Sequence, residues 1–238
     1  GNVLPMSALP TMSYDGPHFL TNLTTAGMRN PPNPDLHWEK VRTFNAGLDF
    51  AFKNDCVKGS IDYYNKNSFD LLGTTAVDPT VGFSNMLKNT ATLKGQGIDL
   101  DIEGRIGLRQ LTWQPRLIFS YVTNKVTKYF SNIVSPSSMI TNGYLINPVQ
   151  GQQPYTLASY KWAGLDPATG EPMGYYNGAV SKDYNSITGK ATMSDIVFSG
   201  TTKPPYFGNF INAFSLFGFT FTANISYKFH YWFRRDLL

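Results

Sequence analysis

Apolar and polar residues alternate with a period of two along much of the chain, and helical spacing is nearly absent. From Thr43 to Phe52, Phe44, Ala46, Leu48, Phe50 and Phe52 share one face, and Thr43, Asn45, Gly47 and Asp49 share the other. Lys53-Asn54-Asp55 makes a short turn. In the return strand Val57, Gly59, Ile61 and Tyr63 oppose Lys58, Ser60, Asp62, Tyr64 and Lys66. The clearest alternation sets Ile98, Leu100, Ile102 and Ile106 against Asp99, Asp101, Glu103 and Arg105. After a turn at 107–110, Leu111, Trp113, Leu117, Phe119 and Tyr121 alternate with Thr112, Gln114, Arg116 and Ser120, and Pro115 predicts a bulge or an unpaired amide. Two last strands, about 206–216 and 219–229, meet at Phe217-Gly218. In the second, Phe219, Phe221, Ala223, Ile225, Tyr227 and Phe229 oppose Thr220, Thr222, Asn224, Ser226 and Lys228. The phase of the first is open, because Asn209 and Asn212 have opposite parity.

These runs predict an all-β chain, an antiparallel meander of about six long strands. Residues 1–40 read as an entry loop, 41–123 as four strands with a loop at about 70–90, 124–205 as a long insertion, 206–230 as a hairpin and 231–238 as the start of another loop. The insertion is rich in Gly, Pro, Ser, Asn and Tyr and far exceeds an ordinary connection, which marks it as functional or disordered.

Period two leaves open whether the apolar face meets a second sheet or lipid. Three features favour lipid. Strands of about 10 to 12 residues fit a tilted bilayer crossing and exceed the usual soluble length. Very short connections alternate with long ones, as in outer-membrane barrels. Aromatic residues gather toward strand ends, where interfacial girdles sit. A barrel segment would turn Asp49, Asp62, Lys58, Asp99, Asp101, Glu103, Arg105, Arg116 and Lys228 toward an aqueous lumen. A secreted, soluble β-sandwich that binds glycans is the alternative, and it would share the alternation and the aromatic loops.

Composition sharpens this choice. Charged residues make up 15% of the 238, where a soluble domain carries roughly 25%, and aromatic residues match them at 15%. Net charge is +4, but Lys and Arg are scattered, the densest pair being Arg234-Arg235, so a nucleic-acid surface is not expected. No run approaches the roughly 18 to 20 apolar residues of a membrane helix. The single cysteine, Cys56, excludes a disulfide scaffold and reads as a small buried or lipid-facing residue.

Certain motifs carry a resemblance. Asn33-Pro-Asp-Leu-His-Trp-Glu39 runs into Phe44-Asn-Ala-Gly-Leu-Asp-Phe50, followed by Gly59-Ser-Ile-Asp-Tyr-Tyr-Asn-Lys66 and Asp70-Leu-Leu72. Then come Asn89-Thr-Ala-Thr-Leu-Lys-Gly-Gln-Gly-Ile-Asp99, Tyr160-Lys-Trp-Ala-Gly-Leu-Asp-Pro-Ala-Thr-Gly-Glu-Pro172 and Pro204-Pro-Tyr-Phe-Gly208. In this order the set resembles the SusC/RagA group of TonB-dependent outer-membrane transporters of Bacteroidota. The resemblance implies a barrel of about 22 strands around a plug, a SusD-like surface lipoprotein as lid, and energy from the TonB–ExbB–ExbD system. It further implies import of an oligosaccharide or other large nutrient. The motifs correspond to an internal wall segment, with the plug and the final strands outside this sequence.

Enzymatic chemistry is not expected. His18, His37 and His230 stand in three separate contexts, with no second ligand at metal spacing. Asp99-Leu-Asp101-Ile-Glu103 imitates paired glycosidase carboxylates, but same-face neighbours on one strand read as wall residues. Asp166-Pro-Ala-Thr-Gly170 looks like a cation loop and has the chemistry of a turn. No cofactor is implied. Among the insertion's small polar residues, Tyr144, Tyr155, Tyr160, Trp162, Tyr175 and Tyr176 are candidate ligand contacts, since flat aromatic faces beside Asn, Gln and Ser suit stacking on sugars.

Overall fold

A computed structural model describes residues 9–53, 55–78, 80, 83–130, 135–141 and 148–235. Its strands are β1 Thr11–Pro17, β2 Thr24–Asn30, β3 Lys40–Phe52, β4 Val57–Ala76, β5 Asn85–Gly104, β6 Ile106–Leu108 and β7 Leu111–Tyr129. Helix α1 spans Pro136–Thr141, followed by β8 Thr156–Tyr160, β9 Trp162–Leu165, β10 Pro172–Tyr176, β11 Ala179–Ser181 and helix α2 Tyr184–Gly189. A 3-10 turn at Met193–Asp195 leads to β12 Ile196–Thr201, and β13 Tyr206–Leu216 and β14 Phe219–Phe229 close the order. The main sheet is an antiparallel meander in the order β14-β13-β7-β5-β4-β3, with β6 continuing β5 against β7. Six long strands are therefore present, as the alternation predicts. The chain divides into two compact units, 1–42 with 67–93 and 127–134, and 43–66 with 94–126 and 135–238.

The first unit corrects the expected loop at about 70–90. β4 runs on to Ala76 and β5 begins at Asn85, so most of that stretch is strand. Alternation fails there because side-chain hydrogen bonds, not one apolar face, hold the backbone. Asn33 Nδ2 donates to Leu87 O at 2.6 Å. Asn89 Nδ2 donates to His37 O (2.9 Å) and Asp70 O (2.5 Å), while its Oδ1 accepts from His37 N (2.9 Å). Glu39 Oε1 accepts from Leu72 N at 3.1 Å, and Lys40 pairs with Asp70 at 3.3 Å. The residues opening three of the quoted motifs are thus the pins that join their segments. In the expected entry segment, β1 and β2 form a hairpin.

In the second unit the wall strands settle the open phase. Asn209 lies opposite Ile118 and Ser226, on the face of Arg116, Asn224 and Lys228. Asn212 falls on the apolar face, between Pro115 and Ala223, and its Oδ1 accepts from Trp113 Nε1 at 3.1 Å. The β7–β13 register passes Pro115 without a shift. The interruption expected there falls on the other side, at Arg105 between β5 and β6, whose amide donates instead to Cys56 O at 2.9 Å. Cys56, expected buried or lipid-facing, is exposed in the β3–β4 turn. Phe217 (φ 50°) and Gly218 (φ 82°) make the two-residue turn whose twist suits a hairpin.

Among the described residues buried apolar side chains are few: Val126, Met139, Leu157, Ala158, Ile187 and Ile196. All six fall within 124–205, Val126 near the end of β7 and the others beyond it, so the stretch read as an insertion is folded rather than irregular. β8 pairs β12, β9–β10–β11 form a second small sheet, and Ile187 of α2 packs against Gly174. The wall's own alternating residues stay open, among them Phe44, Leu48, Phe221 and Ile225, with exposures of 62, 63, 67 and 58%. Rings also cluster at both ends of the β7–β13 pair: Trp113 stacks on Phe214 at 6.0 Å near one end, and Tyr121 on Tyr206 at 4.8 Å near the other. The clusters lie eight residues apart, roughly 26 Å along a strand, comparable with the apolar band of about 25 Å in membrane barrels.

Tyr227 lies over Gly208 and donates its hydroxyl to Ile118 O at 2.9 Å, so a Cβ at Gly208 would meet both that hydroxyl and the carbonyl. Gly107 has open space around its Cβ position. Gly208→Val is expected to destabilise the wall by about 1–3 kcal/mol and Gly107→Val to be near neutral, read as the temperature at which the detergent-solubilised protein loses its compact form on unheated gels.

Candidate functional site

The polar face of the wall gathers most of the charged residues singled out in the sequence. Arg116 grips Asp101 through two bonds, Nε to Oδ1 at 2.9 Å and Nη2 to Oδ2 at 2.6 Å. Lys58 stands 3.7 Å from Glu103. With Asp49 and Ser60 these four line a shallow hollow of about 490 Å³. Asp62 and Asp99 line a second hollow with Tyr64, Lys66, Thr43 and Asn45. Strand register explains the gathering, since charges at every second position of β3, β4, β5 and β7 project on one side. Lys228 shares that face, opposite Phe207, but lies outside both hollows, as does Arg105. Asp101 and Glu103 each hold a cationic partner, an arrangement that suits wall residues.

The insertion divides its aromatic candidates. Tyr144 lies outside the described residues. Tyr155 lies under the Lys203 ammonium at 5.1 Å, and Tyr176 under that of Lys190 at 5.7 Å. Tyr160 donates its hydroxyl to Thr188 O at 3.3 Å. Trp162 and Tyr175 instead line one open cleft of about 450 Å³, together with Lys161, Asp195, Val197 and Gly178. Sequence reading names the two rings and misses Lys161 and Asp195, because Asp195 reaches the cleft through the pairing of β8 with β12, which periodicity does not disclose.

The Asp166 segment is a turn. Asp166 Oδ1 accepts from Ala168 N at 2.8 Å and Thr169 N at 3.3 Å. Lys182 Nζ donates to Asp166 Oδ2 at 2.6 Å and to Glu171 Oε2 at 2.9 Å, so an ammonium occupies the place where a cation loop would hold its ion. The Lys182 hydrogen bond first, then the Ala168 amide, hold the Asp166 carboxyl down to about 2, and Lys182 is pushed up in return. Among the described residues no group of three or more His, Cys, Asp or Glu is placed to hold a metal.

The family model for the TonB dependent receptor-like β-barrel matches residues 8–235. The chain belongs to that family. TonB-dependent receptor SusC of Bacteroides thetaiotaomicron is 34% identical over 98 residues, 40% of this chain and 10% of that protein. TonB-dependent receptor P39 of Formosa agariphila is 29% identical over 134 residues, covering 56% of this chain and 12% of its own length. Among solved structures, the RagAB peptide transporter superposes over 93% of this chain with a TM-score of 0.72 at 21% identity, using 24% of the matched chain. This SusC/RagA-type chain thus spans about a tenth to a quarter of the relatives it matches. Its membership makes it a segment of an outer-membrane β-barrel of the TonB-dependent receptor class, and overturns the soluble sandwich. The structure gives the physical reason: among the described residues, apolar side chains of the wall such as Phe44, Leu48, Phe221 and Ile225 stay exposed.

A depressed carboxyl stabilises the fold above its ordinary value and loses that contribution as pH falls through its folded value. For Asp166 the window runs from 3.8 down to about 2. Amide exchange at Ala168 and Gly170, corrected for the intrinsic rate, should show steady protection above that window and falling protection within it. Asp166→Asn should abolish the dependence.

Proposed function

We propose that the whole protein is an energised importer of a large nutrient, an oligosaccharide on the present reading, and that this chain supplies part of its wall and an extracellular capture element. The observation that carries the proposal is the two-sided sheet, with rings and aliphatic side chains open on one face and ion pairs on the other. Such a sheet separates hydrocarbon from water only if further strands pair its edges, β3 and β14. In this reading Asp49, Asp62, Asp99, Asp101, Glu103, Arg105, Arg116 and Lys228 face the lumen, and the insertion lies outside the cell. Ligand is held between the loops and a SusD-like lipoprotein, and a plug is displaced by TonB driven through ExbB–ExbD.

The insertion's aromatic and small polar surface, which suits sugar rings, supports this choice of substrate class. A structural neighbour is named a peptide transporter, so peptides are the competitor to set against sugars. In cells carrying the full-length protein, uptake of a fluorescent oligosaccharide should stop on deletion of its gene. A protonophore should stop it too while leaving surface binding intact. Uptake that persists without the proton gradient contradicts energised import, and competition by peptides but not sugars moves the substrate class.

A further inference from the structure

The cleft between the insertion's two small sheets holds polar groups that the fold leaves unused. Trp162 opens β9 with 70% of its surface exposed, an unusual position for the most costly ring to leave in water. Among the described residues none hydrogen-bonds its indole N–H, the Tyr175 hydroxyl or the Lys161 ammonium, and Lys161 acts on Asp195 through its charge alone. Asp195 commits Oδ2 to the amide and hydroxyl of Thr192, at 2.9 and 2.7 Å, and among the described residues no group donates to its Oδ1. The insertion's other described candidate rings are engaged by Lys203, Lys190 and Thr188.

The chemistry of this lining selects a ligand. Its charges cancel, which removes any preference for an anion or cation. Val197 is the one aliphatic side chain in the cleft, so there is no apolar socket of the kind that anchors a protein partner or a peptide side chain. Several donors, a free carboxylate oxygen and exposed aromatic surface match the ring and hydroxyls of a sugar. The volume of about 450 Å³ lies in the range of about 300–1,000 Å³ for small-molecule sites.

We propose that this cleft binds a neutral sugar unit of the imported oligosaccharide, stacked on Trp162 and hydrogen-bonded by Asp195, Lys161 and Tyr175. The choice of sugar rests on the import reading above, while the cleft itself is tested apart from transport. The probes are maltohexaose, cellohexaose, laminarihexaose, xylohexaose and mannohexaose, titrated by calorimetry into the full-length transporter in detergent. At least one should bind, Trp162→Ala should weaken it about tenfold, and Trp162→Phe should recover most of the loss. Unheated gel migration checks that each variant is folded. The cleft proposal is overturned if none of the five binds, or if Trp162→Ala keeps full affinity. It is equally overturned if that variant loses a co-purifying lipoprotein while its sugar affinity is intact. Wild-type sugar binding without any cellular uptake would sink the import reading and leave the cleft standing.

Discussion

Hydrocarbon gives the backbone no hydrogen bonds, so a chain that enters it must pair every N–H and C=O within itself while presenting only apolar side chains outward. The β14-β13-β7-β5-β4-β3 meander meets the first demand strand by strand. Its period-two alternation meets the second. Among the described residues a buried core is consequently absent from most of the wall, and the buried apolar side chains sit at Val126, near the end of β7, and beyond it. In water such a sheet would be an aggregation template, because its apolar face and both its edges are open.

Departures from the apolar rule on that face are compensated locally. Asn212 is the polar residue of β13 that points to the lipid side, and the Trp113 indole answers its carbonyl. Tyr227 keeps its hydroxyl out of hydrocarbon by donating to Ile118 O across Gly208. On the polar side the same geometry brings Asp101 to Arg116 and Glu103 to Lys58, where water and pairing remove the cost of stacked acids. In the first unit Asn33 and Asn89 hold the extended strands through side-chain hydrogen bonds to the backbone.

The wall was legible because its physics is periodic. Phe44 to Phe52, Ile98 to Ile106 and Phe219 to Phe229 announce their strands and their faces without help from any other part of the chain. The 70–90 stretch was not legible, since its strands depend on partners distant in sequence, such as Asn33 with Leu87. The insertion was legible only as composition. Its two small sheets rest on pairings such as Ile196 with Tyr160, and its short helices leave no lasting period. The candidate site shows the same division. Trp162 and Tyr175 stood out as residue types, whereas Asp195 joined them through the fold.

The central claim is that one face of this sheet meets lipid and the other water. Nitroxide labels placed singly along 219–229 of the full-length protein in bilayers test it most directly, by collision with oxygen and with a water-soluble paramagnet. The account predicts strict alternation, with Phe219, Phe221, Ala223, Ile225, Tyr227 and Phe229 positions reached by oxygen and Thr220, Thr222, Asn224, Ser226 and Lys228 positions reached from water. Odd positions shielded from both reagents would mean a protein core beneath them, and would contradict it.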